Sequence, residues 1–367
     1  MMKRANLRTL CGVSDSRRIR NEESYTVERP LRIDFAGGWS DTPPICHELG
    51  GCVFNAAVTL NGVKPVKATV GRIDVAEVRV ESVDLRKSAV YRTDAEIADH
   101  SDPHDWGALV KSALTVVGYR LAMGGLDIRI SADVPKGSGM GTSSILGATL
   151  IEALGKALER NYNWRKIAEL TLALEREMCT GGGWEDQIGG LLPGAKLVVT
   201  RKGQAQRFRV RELSAAEKST FAKFLRQRAL LYFTGQKRMA RNVLRGVLGF
   251  YRENPYGIAT AIIDRLKRDA AESFEAVKRG DWQLFCAAVN GYWMSKKALD
   301  PGSTNPQVES IIARIAPWTS AVSLCGAGGG GFMFIVARNS ADRKLVKKIL
   351  EEHPPIAAGR FFEMELA

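Results

Sequence analysis

The chain has 367 residues, 45% of them hydrophobic and 25% charged, with a formal net charge of +13 and four histidines. The length allows two domains and a sizeable core, and the composition is that of an ordinary globular protein. There is no run of about 18 apolar residues to span a membrane, and the basic N-terminus has too short and interrupted an apolar stretch for a secretory signal.

Six cysteines, with no Cys-x-x-Cys and no paired spacing, read as reduced thiols of a cytoplasmic protein. Lysine and arginine are spread along the chain in short clusters such as Arg17-Arg18, Lys237-Arg238 and Lys347-Lys348. A solvated basic surface accounts for most of them. The positive field also suits an enzyme handling phosphorylated anions better than a nucleic-acid binder, of which no module is present.

Residues 1–27 read as a polar lead-in. A short strand follows at Leu31 to Phe35, running into a Gly37-Gly38 turn with Trp39 and Asp41 beyond it. Asp41 at such a turn can accept hydrogen bonds from two neighbouring hydroxyls, and Arg32 is a fixed cation. Alternation and β-branched residues predict strands at 51–60, 66–70, 77–80 and 126–132.

The last of these leads into Pro135, Lys136, Gly137, Ser138, Gly139, Met140, Gly141, Thr142, Ser143 and Ser144, and then into an apolar helical stretch. Glycines at 137, 139 and 141 let successive amides point into one concavity, and the helix start adds unsatisfied donors. That combination binds phosphate. The spacing is neither that of a P-loop nor that of a dinucleotide-binding loop.

Apolar residues at helical spacing predict a helix over 164–178, ended by Gly181-Gly182-Gly183. Glu175 lies at the edge of its apolar face. Trp184, Glu185 and Asp186 follow the glycine turn, with Asp186 read as a loop acid. Trp39 and Trp184 each offer a flat apolar face and an N–H donor to a ligand, or else core packing.

After a strand at 196–200, Ser214 and Glu217 form a capping box. They open a helical second half with segments at 215–228, 237–252, 257–278, 281–299 and 306–315. Strands return at 320–325, 331–337 and 360–366, the first two enclosing a run of glycines from 326 to 331.

The segment from Pro135 to Ser143 resembles the second motif of the GHMP kinases (Pro, three residues, Gly-Leu-Gly-Ser-Ser), with Met140 for Leu and Thr142 for the first Ser. Residues 30–44 resemble the family's first motif and residues 324–336 its third, in the family's order. The resemblance implies an α+β GHMP kinase fold. A ribosomal-S5-domain-2-like N-terminal domain would span 1–205 and a ferredoxin-like C-terminal domain 206–367.

It also implies that ATP lies on Pro135 and Gly137 to Ser144, with Gly328 and Gly329 near its phosphates. Mg²⁺ would sit on Ser143 and Glu175. Asp186 would contact the acceptor hydroxyl with Arg32 beside it, and Gly38, Trp39, Asp41 and Trp184 would hold substrate. A small-molecule sugar and ATP are the implied partners of a monomer or homodimer, with no nucleic acid and no membrane.

Residues 37–44, 182–190, 233–242 and 296–306 look like the sugar-1-kinase branch that contains L-fucokinase and the heptose-7-phosphate kinases. The expected reaction is phosphorylation of the anomeric hydroxyl of L-fucose or a related sugar. The alternatives are a D-glycero-D-manno-heptose 7-phosphate 1-kinase, which would need a distal cation from Lys64, Lys67, Lys237 or Arg241, and an inactive sugar- or ATP-binding regulator. Glu185 departs from the glutamine expected there, and the chain has no room for the nucleotidylyltransferase region that some fucokinases carry.

Overall fold

The computed structural model describes residues 24–367 apart from 101, 103, 179, 237–239, 255 and 256. Most of the polar lead-in therefore lies outside the described residues, but its last part does not stay irregular. Ser24–Arg29 is an edge strand, paired antiparallel with Val66–Ile73. Together with Gly125–Ala132, Val78–Ser82 and Lys87–Tyr91 these form a five-stranded sheet, antiparallel except where Val78–Ser82 meets Gly125–Ala132. Ala108–Val116, Thr142–Ala157 and Trp164–Glu177 close one core with it.

A second sheet carries the functional strand. Leu31–Ala36, buried at every position, pairs with Cys52–Leu60, which in turn pairs with Ala195–Val199 and Met364–Leu366. Arg209–Glu212 adds the far edge. Arg209–Glu212, beyond residue 205, thus pairs with a strand before it, and the second sheet draws strands from both sides of that position.

The third sheet orders Thr319–Leu324, Phe332–Ala337, Ala229–Phe233 and Arg360–Phe362, all antiparallel. Ala229–Phe233 is apolar and wholly buried, as a central strand requires. The expected strand at 360–366 is two: Glu363 exchanges hydrogen bonds with Asn61, and the chain crosses from the third sheet to the second.

The predicted helices of the second half fold at Ala215–Arg228, Ala240–Glu253, Ile258–Arg279, Trp282–Leu299 and Pro306–Ile315. Both arms of the Ser214/Glu217 capping box form. Aromatic edges bind these helices to the second sheet, Phe274 to Phe54 at 5.4 Å and Phe285 to Phe35 at 5.6 Å between ring centres. Cys46, Cys52, Cys286 and Cys325 are buried and unbridged. Among the described residues no helix is long and apolar enough to cross a membrane.

Candidate active site

The glycine loop takes the shape its composition dictates. Gly137, Gly139 and Gly141 hold φ of 72°, 73° and 73°, a left-handed conformation that a Cβ would strain. The loop's carbonyls are occupied from behind: Arg32 Nη1 donates to Gly139 O at 2.7 Å and the Phe332 amide to Ser138 O at 2.8 Å.

Helix Thr142–Ala157 starts at Gly141 with no side-chain cap, and the first of its amides bonded to a carbonyl behind it is Ile145, to Gly141 O at 2.9 Å. The amides of Thr142, Ser143 and Ser144 are left for an anion. The hydroxyls do other work. Ser138 Oγ and Thr142 Oγ1 lie 2.9 Å apart and brace the loop, and Ser144 donates to Glu175. Met140 is fully buried in the core, so only its backbone is near the loop surface.

The third glycine run supports this loop. A Cβ on Gly139 would stand 2.5 Å from Cys325 O, and one on Gly326 the same distance from Gly139 O. Gly329 N is bonded to Ser303 O at 2.5 Å, so Gly328 and Gly329 face the 303–305 turn, while Gly326 and Ala327 border the cleft.

That cleft, of about 260 Å³, gathers Arg32, Gly38, Trp39, Asp41, Ser143, Ser144, Glu175 and Asp186, and adds Glu185, Tyr292 and Leu244. Trp39 reaches it from a left-handed backbone (φ 76°), a conformation that costs a non-glycine residue about 1–2 kcal/mol. Its indole Nε1 is buried without a partner, leaving a donor for a ligand. Trp184 does not line the cleft. It is 0% exposed, packed edge-on to Phe208 and hard against Gly51, so of its two readings core packing is the one realised.

Arg32 is the hub. Its Nε donates to Asp186 Oδ1 at 2.8 Å and lies 2.7 Å from Glu185 Oε1, while Nη1 is 3.3 Å from Asp34 Oδ1. Burial opposes its charge, but the carboxylates of Asp186, Glu185 and Asp34 outweigh that and raise its pKa further above the usual arginine range. Asp186 is not a loop acid. It occupies the first turn of helix Glu185–Leu191, a short helix that contains Gly189 and Gly190, both poor helix formers. Both glycines are packing requirements, since a Cβ on Gly189 would sit 2.6 Å from Arg32 Cβ and one on Gly190 2.8 Å from Ile145.

Lys196, fully buried, holds the far end of that short helix by donating to the carbonyls of Gly189, Leu192 and Gly194 at 2.9, 2.7 and 3.1 Å. Burial pushes its ammonium down to about 7. No motif announces its role. Asp41 Oδ2 accepts the Glu185 amide at 3.0 Å. Its pKa rises to about 6, chiefly through burial, against that amide and with help from Asp186.

Glu175, buried on helix Trp164–Glu177, accepts from Ser144 through Oε1, and its Oε2 has no partner. Burial and the nearby Asp186 and Asp41 charges push it up to about 8 despite the Ser144 hydroxyl. A buried carboxylate oxygen without a partner, next to a helix-start hydroxyl, is a donor set suited to Mg²⁺, which takes few protein ligands. Ser144 is the hydroxyl that meets Glu175, while Ser143 is exposed on the cleft wall. Among the described residues no group of three His, Cys, Asp or Glu forms a metal cluster.

Residues 108–194 match the GHMP kinases N terminal domain and residues 273–356 the GHMP kinases C terminal domain. The chain is 34% identical over 354 residues to an L-fucokinase/L-fucose-1-P guanylyltransferase of Bacteroides fragilis, covering 92% of this chain and 37% of that protein. It is 35% identical to a bifunctional fucokinase/GDP-fucose pyrophosphorylase of Arabidopsis thaliana, covering 93% and 32%. It thus spans about a third of the length of these two curated relatives. A D-glycero-alpha-D-manno-heptose 7-phosphate kinase of Campylobacter jejuni is 26% identical, over 90% of this chain and 94% of that one. Among solved structures, Lactococcus lactis galactokinase complexed with galactose superposes with a TM-score of 0.69 at 16% identity, over 94% of each chain.

Proposed function

Since the chain belongs to the GHMP kinases, we propose that it is an ATP-dependent sugar kinase phosphorylating the anomeric C1 hydroxyl of L-fucose or a closely related sugar. The observation that carries this reading is the convergence in one cleft of the Arg32–Asp186 pair and the Ser144–Glu175 pair beside the open amides of the glycine loop.

Phosphoryl transfer is mostly positioning and charge neutralisation. The amides at 142–144 and the glycine loop hold the phosphates of ATP. Glu175 and a helix-start hydroxyl, Ser144 or Ser143, would hold Mg²⁺, which when bound spreads and neutralises the charge on the terminal phosphates. Asp186 orients the attacking hydroxyl and accepts its proton, and Arg32 fixes that carboxylate and offsets charge as it develops. Asp41 accepts from neighbouring sugar hydroxyls, and the Trp39 indole offers a face and an N–H.

The cleft wall supports a deoxysugar over a phosphorylated heptose. Trp39, Leu244 and Ala327 give it apolar lining that suits a methyl group. Arg32, the one cation among the described lining residues, is already engaged by three carboxylates and a carbonyl. Lys64 and Lys67 are exposed and do not line the cleft, Lys67 being paired with Glu28 at 3.0 Å. Lys237 and the side chain of Arg241 lie outside the described residues.

A coupled ADP-release screen with L-fucose, D-arabinose, galactose and heptose 7-phosphate, with phosphorus NMR of the product, tests the reading. ADP release with L-fucose and a C1 phosphate ester are expected. Preference for heptose 7-phosphate would move the assignment to the other kinase, and ATP binding without turnover on any sugar would favour a regulator.

A further inference from the structure

Asp34, two positions along the strand from Arg32, is 2% exposed and outside every motif role assigned above. Four groups converge on it. The Gly326 amide donates to Oδ1 at 2.9 Å, and Arg32 Nη1 lies 3.3 Å from the same oxygen. The Tyr292 hydroxyl donates to Oδ2, with Lys296 Nζ 3.7 Å away. Tyr292 and Lys296 stand one helical turn apart on Trp282–Leu299, and Gly326 follows strand Thr319–Leu324. Three of the four groups therefore come from the half of the chain that does not supply Arg32.

Arg32 is gripped at all three nitrogens, by Asp186 and Glu185 at Nε, by Asp186 at Nη2, and by Gly139 O and Asp34 at Nη1. Without Asp34 held in place, Nη1 keeps only the Gly139 carbonyl, and the two remaining carboxylates pull the guanidinium from the other side. Lys296 is already committed, donating to Leu324 O at 2.6 Å. The Tyr292 hydroxyl is thus the tie whose removal leaves the net charge of the cluster untouched. It borders the cleft beside Gly38, where a Cβ would collide with it.

We propose that Tyr292 is a positioning residue for phosphoryl transfer: by holding Asp34 it fixes Arg32 against Asp186, so the C-terminal half of the chain completes the acceptor side of the site. This rests on the kinase reading for its activity readout, and on geometry alone for its spectroscopic one.

Tyr292→Phe, Arg32→Lys and the double variant form the test. Tyr292→Phe is expected to lower kcat about tenfold, the scale of one hydrogen bond to a charged group, with KM for sugar and ATP within about twofold. In the Arg32→Lys background the same change should cost less than about twofold, because its route is already broken. Additive losses, or a loss confined to KM, would overturn the proposal.

The Arg32 Nε–H signal in ¹⁵N-arginine-labelled protein, identified by its absence in Arg32→Lys, gives a readout independent of turnover. It should be sharp in the wild type and broadened in Tyr292→Phe. A signal unchanged by that substitution, or not resolved in the wild type, overturns the positioning role. A wild-type protein inactive on every sugar would remove the kinase reading instead, and the spectrum would still decide this one.

Discussion

Arg32 donates its Nε–H to Asp186 Oδ1 at 2.8 Å, although 154 residues separate them along the chain. The pair makes Asp186 a fixed acceptor at the cleft and not a wandering surface acid. Asp186→Asn keeps the shape and removes the proton acceptor. Turnover should fall by about 10² or more, with ATP affinity nearly intact by calorimetry. Near-normal turnover would take the base role away from Asp186.

Glu175 places an unpartnered oxygen in the cleft wall. Glu175→Gln removes the negative charge that the carboxylate would present to a bound cation, so the Mg²⁺ concentration giving half-maximal rate should rise about tenfold or more. A magnesium titration that superposes on the wild type would count against it.

The two tryptophans should separate cleanly. Trp184→Ala empties a fully buried site and should cost about 3–5 kcal/mol in denaturant unfolding. Trp39→Ala should raise the sugar KM several-fold with little change in unfolding midpoint, since this indole borders the cleft. The opposite pattern would exchange their roles.

Asp41 must be ionised to accept two hydroxyls. Its raised pKa of about 6 predicts that kcat/KM for sugar declines as pH falls through about 6, and that Asp41→Asn removes this limb along with most of the activity. The stability sign is the reverse. Protonation relieves the buried charge, so this group's contribution falls as pH rises from about 4 to about 6. Parallel pH series of activity and unfolding check both.

Gly183 lies against the Asp41 carboxylate so closely that any Cβ would overlap it. Gly183→Ala should therefore displace Asp41 and raise the sugar KM about tenfold while leaving the KM for ATP alone. An equal rise in both would point to general disruption.

Much of the site was legible because its chemistry is local. Glycines at alternate positions before a helix carry their reason in adjacent residues, whereas Arg32 and Asp186 are expected through the family resemblance. What failed was long-range. Ser143 and Ser144 are equivalent on paper, and only the packing of Thr142–Ala157 on Trp164–Glu177 turns the second toward Glu175. Gly189 and Gly190 are poor helix formers by propensity, yet here they let a helix lie on Arg32 and Ile145. Asp34 and Tyr292 meet across 258 residues, a distance no periodicity spans.

Met364–Leu366 is a three-residue strand, but it is stitched to the same Cys52–Leu60 ribbon that bears the Arg32 strand on its other side, and Ala367 exchanges backbone bonds with Ala57 and Gly194. Breaking that pairing would loosen a seam directly behind the chemistry while touching no group that meets substrate.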